Sequence, residues 1–356
     1  MSSKKSVMCG GVQIGGGAPI SIQSMTNVDT HNIKAAVRQT KQLMDLGCDI
    51  MRIAVPDKDA ALAFGEIKKQ LPDVPIIADI HFDYELAIAA IDNGADAVRI
   101  NPGNIGSESR VRAIVWSARH HGIPIRIGVN SGSLEKDILD NMGMTADALA
   151  ESAMRNVELV EKMDFDDIVI SVKCSDVQMT FDAYRKVAAM TDHPLHIGVT
   201  EAGTYEEALM KSAVGLGGLI MSGIGDTMRV SITGDPAQEP GAAIKILEAA
   251  GARQKAINFV SCPTCGRTKV DLAKIAGEVE KRLSGTAKQR KENGKRPITV
   301  AVMGCEVNGP GEASQADVGV ACGENKGLLF AHGESIRTVP ADQIADALVD
   351  MVSKLD

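Results

Sequence analysis

The sequence predicts an α/β protein: a (β/α)8 TIM barrel over residues 1–252, followed by a small α+β domain over residues 253–356. Three observations predict it. Eight short apolar runs alternate with amphipathic stretches from Ile20 to about residue 250, the pattern of parallel strands buried on both faces beneath helices. Helical stretches end in Gly47, Gly94 and Gly122 with an apolar run close behind, as a left-handed C-cap leading into a strand requires. Near Gly251-Ala252-Arg253-Gln254 this rhythm stops. A doubly wound sheet is the alternative, but eight units without a G-x-G-x-x-G fingerprint favour the barrel.

In chain order, the barrel strands are expected at 20–25, 50–55, 76–81, 97–101, 125–130, 168–173, 195–199 and 228–233. Helices are expected between them at 32–46, 59–70, 84–93, 108–120, 146–163 and 204–214. The stretches Gly215-Leu216-Gly217-Gly218 and Gly223-Ile224-Gly225-Asp226 read as tight βα turns, with phosphate cradling as their functional option. In the second domain a Cys-Pro-Thr-Cys turn precedes a helix at 269–283, and the basic stretch 288–296 reads as a solvated loop. Strands at 298–303, 317–321 and 328–332 and a final helix at 340–355 complete it.

Composition excludes several functions. Aromatic residues make up only 3% and the formal net charge is -8, which argues against nucleic-acid bases and anionic membranes as partners. No apolar run approaches membrane-spanning length, and the lysines near the N-terminus precede no apolar segment of the secretory kind. Seven cysteines without a secretory signal suggest reduced thiols and a cytoplasmic protein.

Three of those cysteines form a pattern. Cys262 and Cys265, two residues apart, can share one metal centre from a single turn, and Cys305 can close on it from the next element. Structural zinc and electron-transfer clusters normally close with four protein ligands. Three thiolates with a replaceable fourth ligand suit a catalytic iron–sulfur cluster, with structural zinc as the alternative. Cys9, Cys48, Cys174 and Cys322 lie outside the pattern and read as small buried hydrophobes.

Cations inside apolar strands are the second signal. Arg52, Arg99 and Arg126 interrupt strands, Lys173 ends one, and Arg229 lies within another. A central strand tolerates a cation only where it meets an anion, and five point to a compact phosphate ligand at the C-terminal strand ends. Asp79 and Glu201 are the acids that could neutralise some of them. Asp79, His81 and Glu201 can also move protons once burial tunes them.

The stretches Ser24–Asn27, Met51–Pro56, Ala78–Phe82, Arg99–Asn104, Ile127–Leu134 and Cys305–Glu312 together resemble the bacterial 4-hydroxy-3-methylbut-2-enyl diphosphate synthase family in its short, two-domain form. The resemblance spans nearly the whole chain. It implies reductive ring opening and dehydroxylation of 2-C-methyl-D-erythritol 2,4-cyclodiphosphate in isoprenoid precursor biosynthesis by the methylerythritol phosphate pathway. It implies a 4Fe–4S cluster held by Cys262, Cys265, Cys305 and an exchangeable Glu312, with Glu306 the rival acid that spacing leaves open. Arg52, Arg99, Arg126, Asn130 and Lys173 would bind the diphosphate, joined by Arg229 and Ser231. Asp79, His81 and Glu201 would act in catalysis, Glu201 as proton donor. The family is dimeric, the cluster domain of one subunit capping the barrel of the other, and flavodoxin or ferredoxin is the expected electron donor.

Overall fold

Eight parallel strands form the sheet around which the first part of the chain is built. In the computed structural model, which describes residues 3–305 and 315–355, the chain divides into two compact units, Met1–Arg253 and Gln254–Asp356. Before the barrel come β1 (Ser6–Cys9) and β2 (Val12–Gly15), an antiparallel hairpin. The barrel strands are β3 (Ser21–Met25), β4 (Ile50–Ala54), β5 (Ile76–Asp79), β6 (Ala97–Ile100), β7 (Ile125–Asn130), β8 (Ile168–Lys173), β9 (His196–Ile197) and β10 (Thr227–Met228). They pair in the order β8-β7-β6-β5-β4-β3-β10-β9, and a parallel bridge from Ile170 to Leu195 closes the ring.

The hairpin escapes the sequence reading because its strands are only four residues long. Val7, Cys9 and Ile14 pack with Ile50, Ile77, Ala97 and Val169. These positions lie at or near the N-terminal ends of their strands, so the hairpin caps that end with an apolar floor and leaves the opposite end for chemistry.

Several expected elements change. Strand 228–233 shrinks to Thr227–Met228, and 195–199 to His196–Ile197. The helix expected at 204–214 runs over Tyr205–Met221 and absorbs Gly215 to Gly218. Those glycines are packing positions rather than turns. A Cβ on Gly215 would lie 3.1 Å from Val177, and one on Gly218 would lie 3.2 Å from Phe181, both in the adjoining helix Val177–Met190. That helix, Lys136–Met142 and Gln238–Ala249 were not expected. Gly47, Gly94 and Gly122 all have positive φ, as their helix ends require.

The second unit is a five-stranded sheet, β11 (Ile257–Ser261), β12 (Ile298–Met303), β13 (Val318–Gly323), β14 (Lys326–Ala331) and β15 (Glu334–Pro340), in that order. β11, β12 and β13 are parallel, and the last two pairings are antiparallel. The helices Leu272–Glu292 and Ile344–Ser353 bury Val279, Leu283 and Leu348 against Val300, Val302 and Val320. The basic stretch expected as a loop is therefore partly helical. Asp271 caps the helix by accepting from the Lys274 amide, and its 21 residues span about 30 Å. In this βαβ crossover, 288–296 lies at the strand end opposite Cys262 and Cys305.

Candidate functional site

Parallel pairing sets the barrel cations side by side. Met25 stands opposite Arg52, Asp79 opposite Arg99, Arg99 opposite Arg126, and Asn130 opposite Lys173. Burial is deep: Arg99 is 7%, Arg126 2% and Lys173 8% exposed. Arg52 and Arg229 are only a little more open.

Among the described residues, two buried carboxylates face these five cations. Asp79 lies 3.9 Å from Arg52 Nε and 3.6 Å from Arg99 Nη1. Burial alone would raise its carboxyl, but Arg52, Arg99 and Arg126 outweigh that and hold it below the usual range. The second is Glu239, 1% exposed and 2.8 Å from Arg229. Glu201, expected as a counter-charge, is exposed and makes no ion pair among the described residues. It lies in the loop four residues past the end of β9.

The positive excess has physical consequences. Burial, opposed by Asp79, brings the Arg52 guanidinium down to about 10. Burial and the neighbouring cations push Arg126 and Lys173 well below their ordinary values. Arg126 Nη1 donates to Gln23 Oε1 at 3.0 Å, while Arg126 Nε and Asp79 Oδ1 have no hydrogen-bond partner. An unpartnered buried guanidinium nitrogen among these cations leaves a donor that an anionic ligand can use. Lys173 Nζ lies 3.0 Å from His196 Nε2, and His196 is fully buried.

The remaining residues line the same strand ends. His81 follows β5, is largely exposed, and has Nε2 4.0 Å from Asp79. Asn130 and Ser133 form a reciprocal capping pair at the end of β7, and Asn101 donates to Ser133 at 3.0 Å. Ser231 is half-buried two residues beyond Arg229. Glu201 has φ 53°, unusual for a non-glycine residue and typical of sites where function constrains the backbone. A cavity of about 300 Å³ opens beside Val55, Asp79, His81 and Phe82.

A second cavity lies elsewhere. About 470 Å³ lies at the N-terminal ends of the barrel strands, beside Asp192, His193 and Asp226, on the side away from the strand cations. Near it, Glu161, Asp166 and His193 lie close enough to share an ion. Lys5 already supplies that charge, 2.6 Å from Asp166 and 3.4 Å from His193.

In the second unit strand pairing brings Cys262 and Cys305 to neighbouring strand ends. Cys262 follows β11, Cys305 lies two residues past β12, and Ser261 pairs with Val302. The Gly304 amide donates to Cys262 Sγ at 3.1 Å. Cys265 is exposed, Cys262 and Cys305 are half-exposed, and the other four cysteines are buried. Hydrogen bonds from the backbone and side chain of Arg267 lower the Cys265 thiol. Accessible thiols with amide donors nearby are a donor set suited to iron and sulfide. Glu306 and Glu312 lie outside the described residues.

Residues 4–244 match the GcpE TIM-barrel domain and residues 258–354 the GcpE protein C-terminal domain. The 4-hydroxy-3-methylbut-2-en-1-yl diphosphate synthase (flavodoxin) of Caldanaerobacter subterraneus subsp. tengcongensis is 50% identical over 99% of this chain and 97% of its own. The protein of the same name from Clostridium tetani is 52% identical, covering 96% of each chain. Among solved structures, a Yersinia pestis dihydropteroate synthase superposes with a TM-score of 0.50 at 10% identity, over 70% of this chain and 100% of its own, a likeness of barrel fold alone. With both parts of the chain matched and half the residues identical over nearly its full length, the chain belongs to the GcpE family.

Proposed function

We propose that this protein converts 2-C-methyl-D-erythritol 2,4-cyclodiphosphate to 4-hydroxy-3-methylbut-2-enyl diphosphate in isoprenoid biosynthesis, with flavodoxin or ferredoxin as electron donor. The relatives' names give the diphosphate product and flavodoxin. The observation that supports it most directly is the barrel interior, where five cations meet two buried carboxylates. Such an excess suits a doubly charged diphosphate, whose oxygens take up the unused donors of Arg126 and its neighbours.

Arg52, Arg99, Arg126, Asn130, Lys173, Arg229 and Ser231 are assigned to the diphosphate, fixing the reacting carbon and lowering the entropic part of the barrier. Cys262, Cys265 and Cys305 would hold a 4Fe–4S cluster, with Glu312 as exchangeable fourth ligand. When bound, such a cluster supplies single electrons and a Lewis-acidic iron. The reaction opens a C–O bond to phosphate, removes a hydroxyl as water and consumes two electrons. The leaving hydroxyl needs a proton, assigned to Glu201, with Asp79 and His81 as further catalytic groups able to move protons. A cytoplasmic homodimer belongs to the same reading; no helix among the described residues is long and apolar enough to cross a membrane. Sedimentation of the loaded enzyme at the mass of one chain would refute the dimer.

Anaerobic turnover of the cyclodiphosphate with a chemical reductant tests the reading. The expected result is diphosphate product, a substrate-dependent electron paramagnetic resonance signal, and about four irons per chain. Iron-loaded protein giving neither product nor signal would overturn it, and a colourless protein with one zinc would overturn the cluster.

A further inference from the structure

Arg229 differs from the other four strand cations in having a counter-ion shaped to it. Its Nε and Nη2 donate to the two carboxylate oxygens of Glu239 at 3.0 and 2.8 Å, a bidentate fork. Glu239 accepts two further hydrogen bonds, from Ser24 Oγ at 2.7 Å and from the Ile232 amide at 3.3 Å. It sits in the first turn of the helix Gln238–Ala249, where a carboxylate is also favoured by the helix dipole.

The position of this carboxylate matters because the sheet is incomplete there. β10 pairs with β3 only at Thr227 and Met228. The segment beyond, which carries Arg229 and Ser231, bonds through its backbone to the β9 side alone, Arg229 to Ile197 and Thr233 to Gly203. On its β3 side Glu239 holds Ser24 of β3, the Arg229 side chain and the Ile232 amide at once, and further along Asn27 Nδ2 donates to the Gly234 carbonyl at 3.3 Å.

We propose that Glu239 is a positioning residue for diphosphate binding: it turns the Nε/Nη2 edge of Arg229 away from the ligand, ties residues 229–232 to β3, and presents Nη1 as the donor a phosphate oxygen meets. Nη1 now lies 3.6 Å from the Met25 thioether, a weak acceptor that an anionic oxygen outcompetes. Because Glu239 cancels the charge of Arg229, this arginine contributes direction, whereas Arg52, Arg99, Arg126 and Lys173 contribute the attraction. The inference rests on the diphosphate reading of the barrel.

The test uses the iron-loaded, full-length enzyme and two readouts: steady-state kinetics with the cyclodiphosphate, and calorimetric binding of inorganic pyrophosphate. Glu239→Gln keeps the shape of the side chain and loses its charge. It is expected to raise KM and the pyrophosphate Kd at least about tenfold, the effect of weakening a charged hydrogen-bond pair, with kcat changed less than about twofold. Arg229→Met should raise KM similarly, and the double variant should be no worse than Arg229→Met alone, since both changes act through one contact. Unchanged KM in Glu239→Gln, or additive effects in the double variant, would overturn the proposal. Should Glu239→Gln fail to fold, Ser24→Ala removes one anchor of the carboxylate without touching the arginine; a several-fold rise in Kd supports the proposal and an unchanged Kd refutes it. An inactive wild type that binds pyrophosphate, with the variants weakened, would defeat the functional reading and leave the role of Glu239 intact.

Discussion

Lys173 and His196 form the most unusual pair in the barrel, two titratable bases in contact inside a cluster of cations. Burial first, then Arg126, Arg52, Arg229 and Arg99, lower the lysine, and burial followed by Lys173 and the arginines lowers the histidine. Lys173 Nζ and His196 Nε2 share one hydrogen bond, and His196 Nδ1 has no partner. A bound diphosphate reverses the balance at Lys173 by stabilising its charged form. The sign follows from linkage: the lysine pKa is depressed in the free enzyme and raised in the complex, so between those values binding takes up a proton and weakens as pH rises. KM is thus expected to climb with pH below the ordinary lysine range, and Lys173→Arg, which stays charged, should flatten the profile. A wild-type KM independent of pH would refute this. The strand cations are legible in sequence because a charge inside an apolar run has few structural explanations. Glu239 is not, because a glutamate in the first turn of a helix is commonplace.

At the scale of elements, two glycines, one within β7 and one directly after β9, make room for two of the cations. Arg99 of β6 pairs with Arg126 of β7, and its side chain leans along the strand over Gly128, two residues further on. A Cβ on Gly128 would lie 2.5 Å from Arg99 Nε. The bridge from Ile170 to Leu195, extended three residues, puts Gly198 opposite Lys173, and a Cβ there would lie 2.6 Å from Lys173 Nζ. Neither glycine has a positive φ among those of the chain, so the requirement is space rather than backbone freedom. Gly128→Ala and Gly198→Ala are each expected to displace the facing cation and raise KM about tenfold, a change of about 1.4 kcal/mol in binding. Kinetics alongside thermal unfolding checks this; KM at the wild-type value would show that the cations adapt. In sequence these glycines look like ordinary strand residues, because the partner that needs their space lies on another strand.

At the scale of the molecule, each unit has its own core. Residues such as Ile53, Ile100, Ile127 and Ile170 belong to the barrel cluster, while Val279, Val300, Val320 and Leu348 belong to the second. Residues 1–253 expressed alone should therefore unfold cooperatively and bind pyrophosphate without taking up iron, as calorimetry and iron analysis would reveal; an insoluble or non-cooperative fragment would contradict it. The barrel was legible in the sequence, as were the cations in and beside its strands and the spacing of the three thiols. Strand periodicity, buried charge and cysteine spacing are local properties with few alternative explanations. Tertiary structure alone decided that the N-terminal hairpin floors the barrel, that Gly215 to Gly218 are helical, that Glu239 rather than Glu201 pairs with a strand cation, and that Gly128 and Gly198 make space for Arg99 and Lys173. Each of these depends on a neighbour distant in sequence, and pairing across a closed sheet creates those neighbours only when the chain folds.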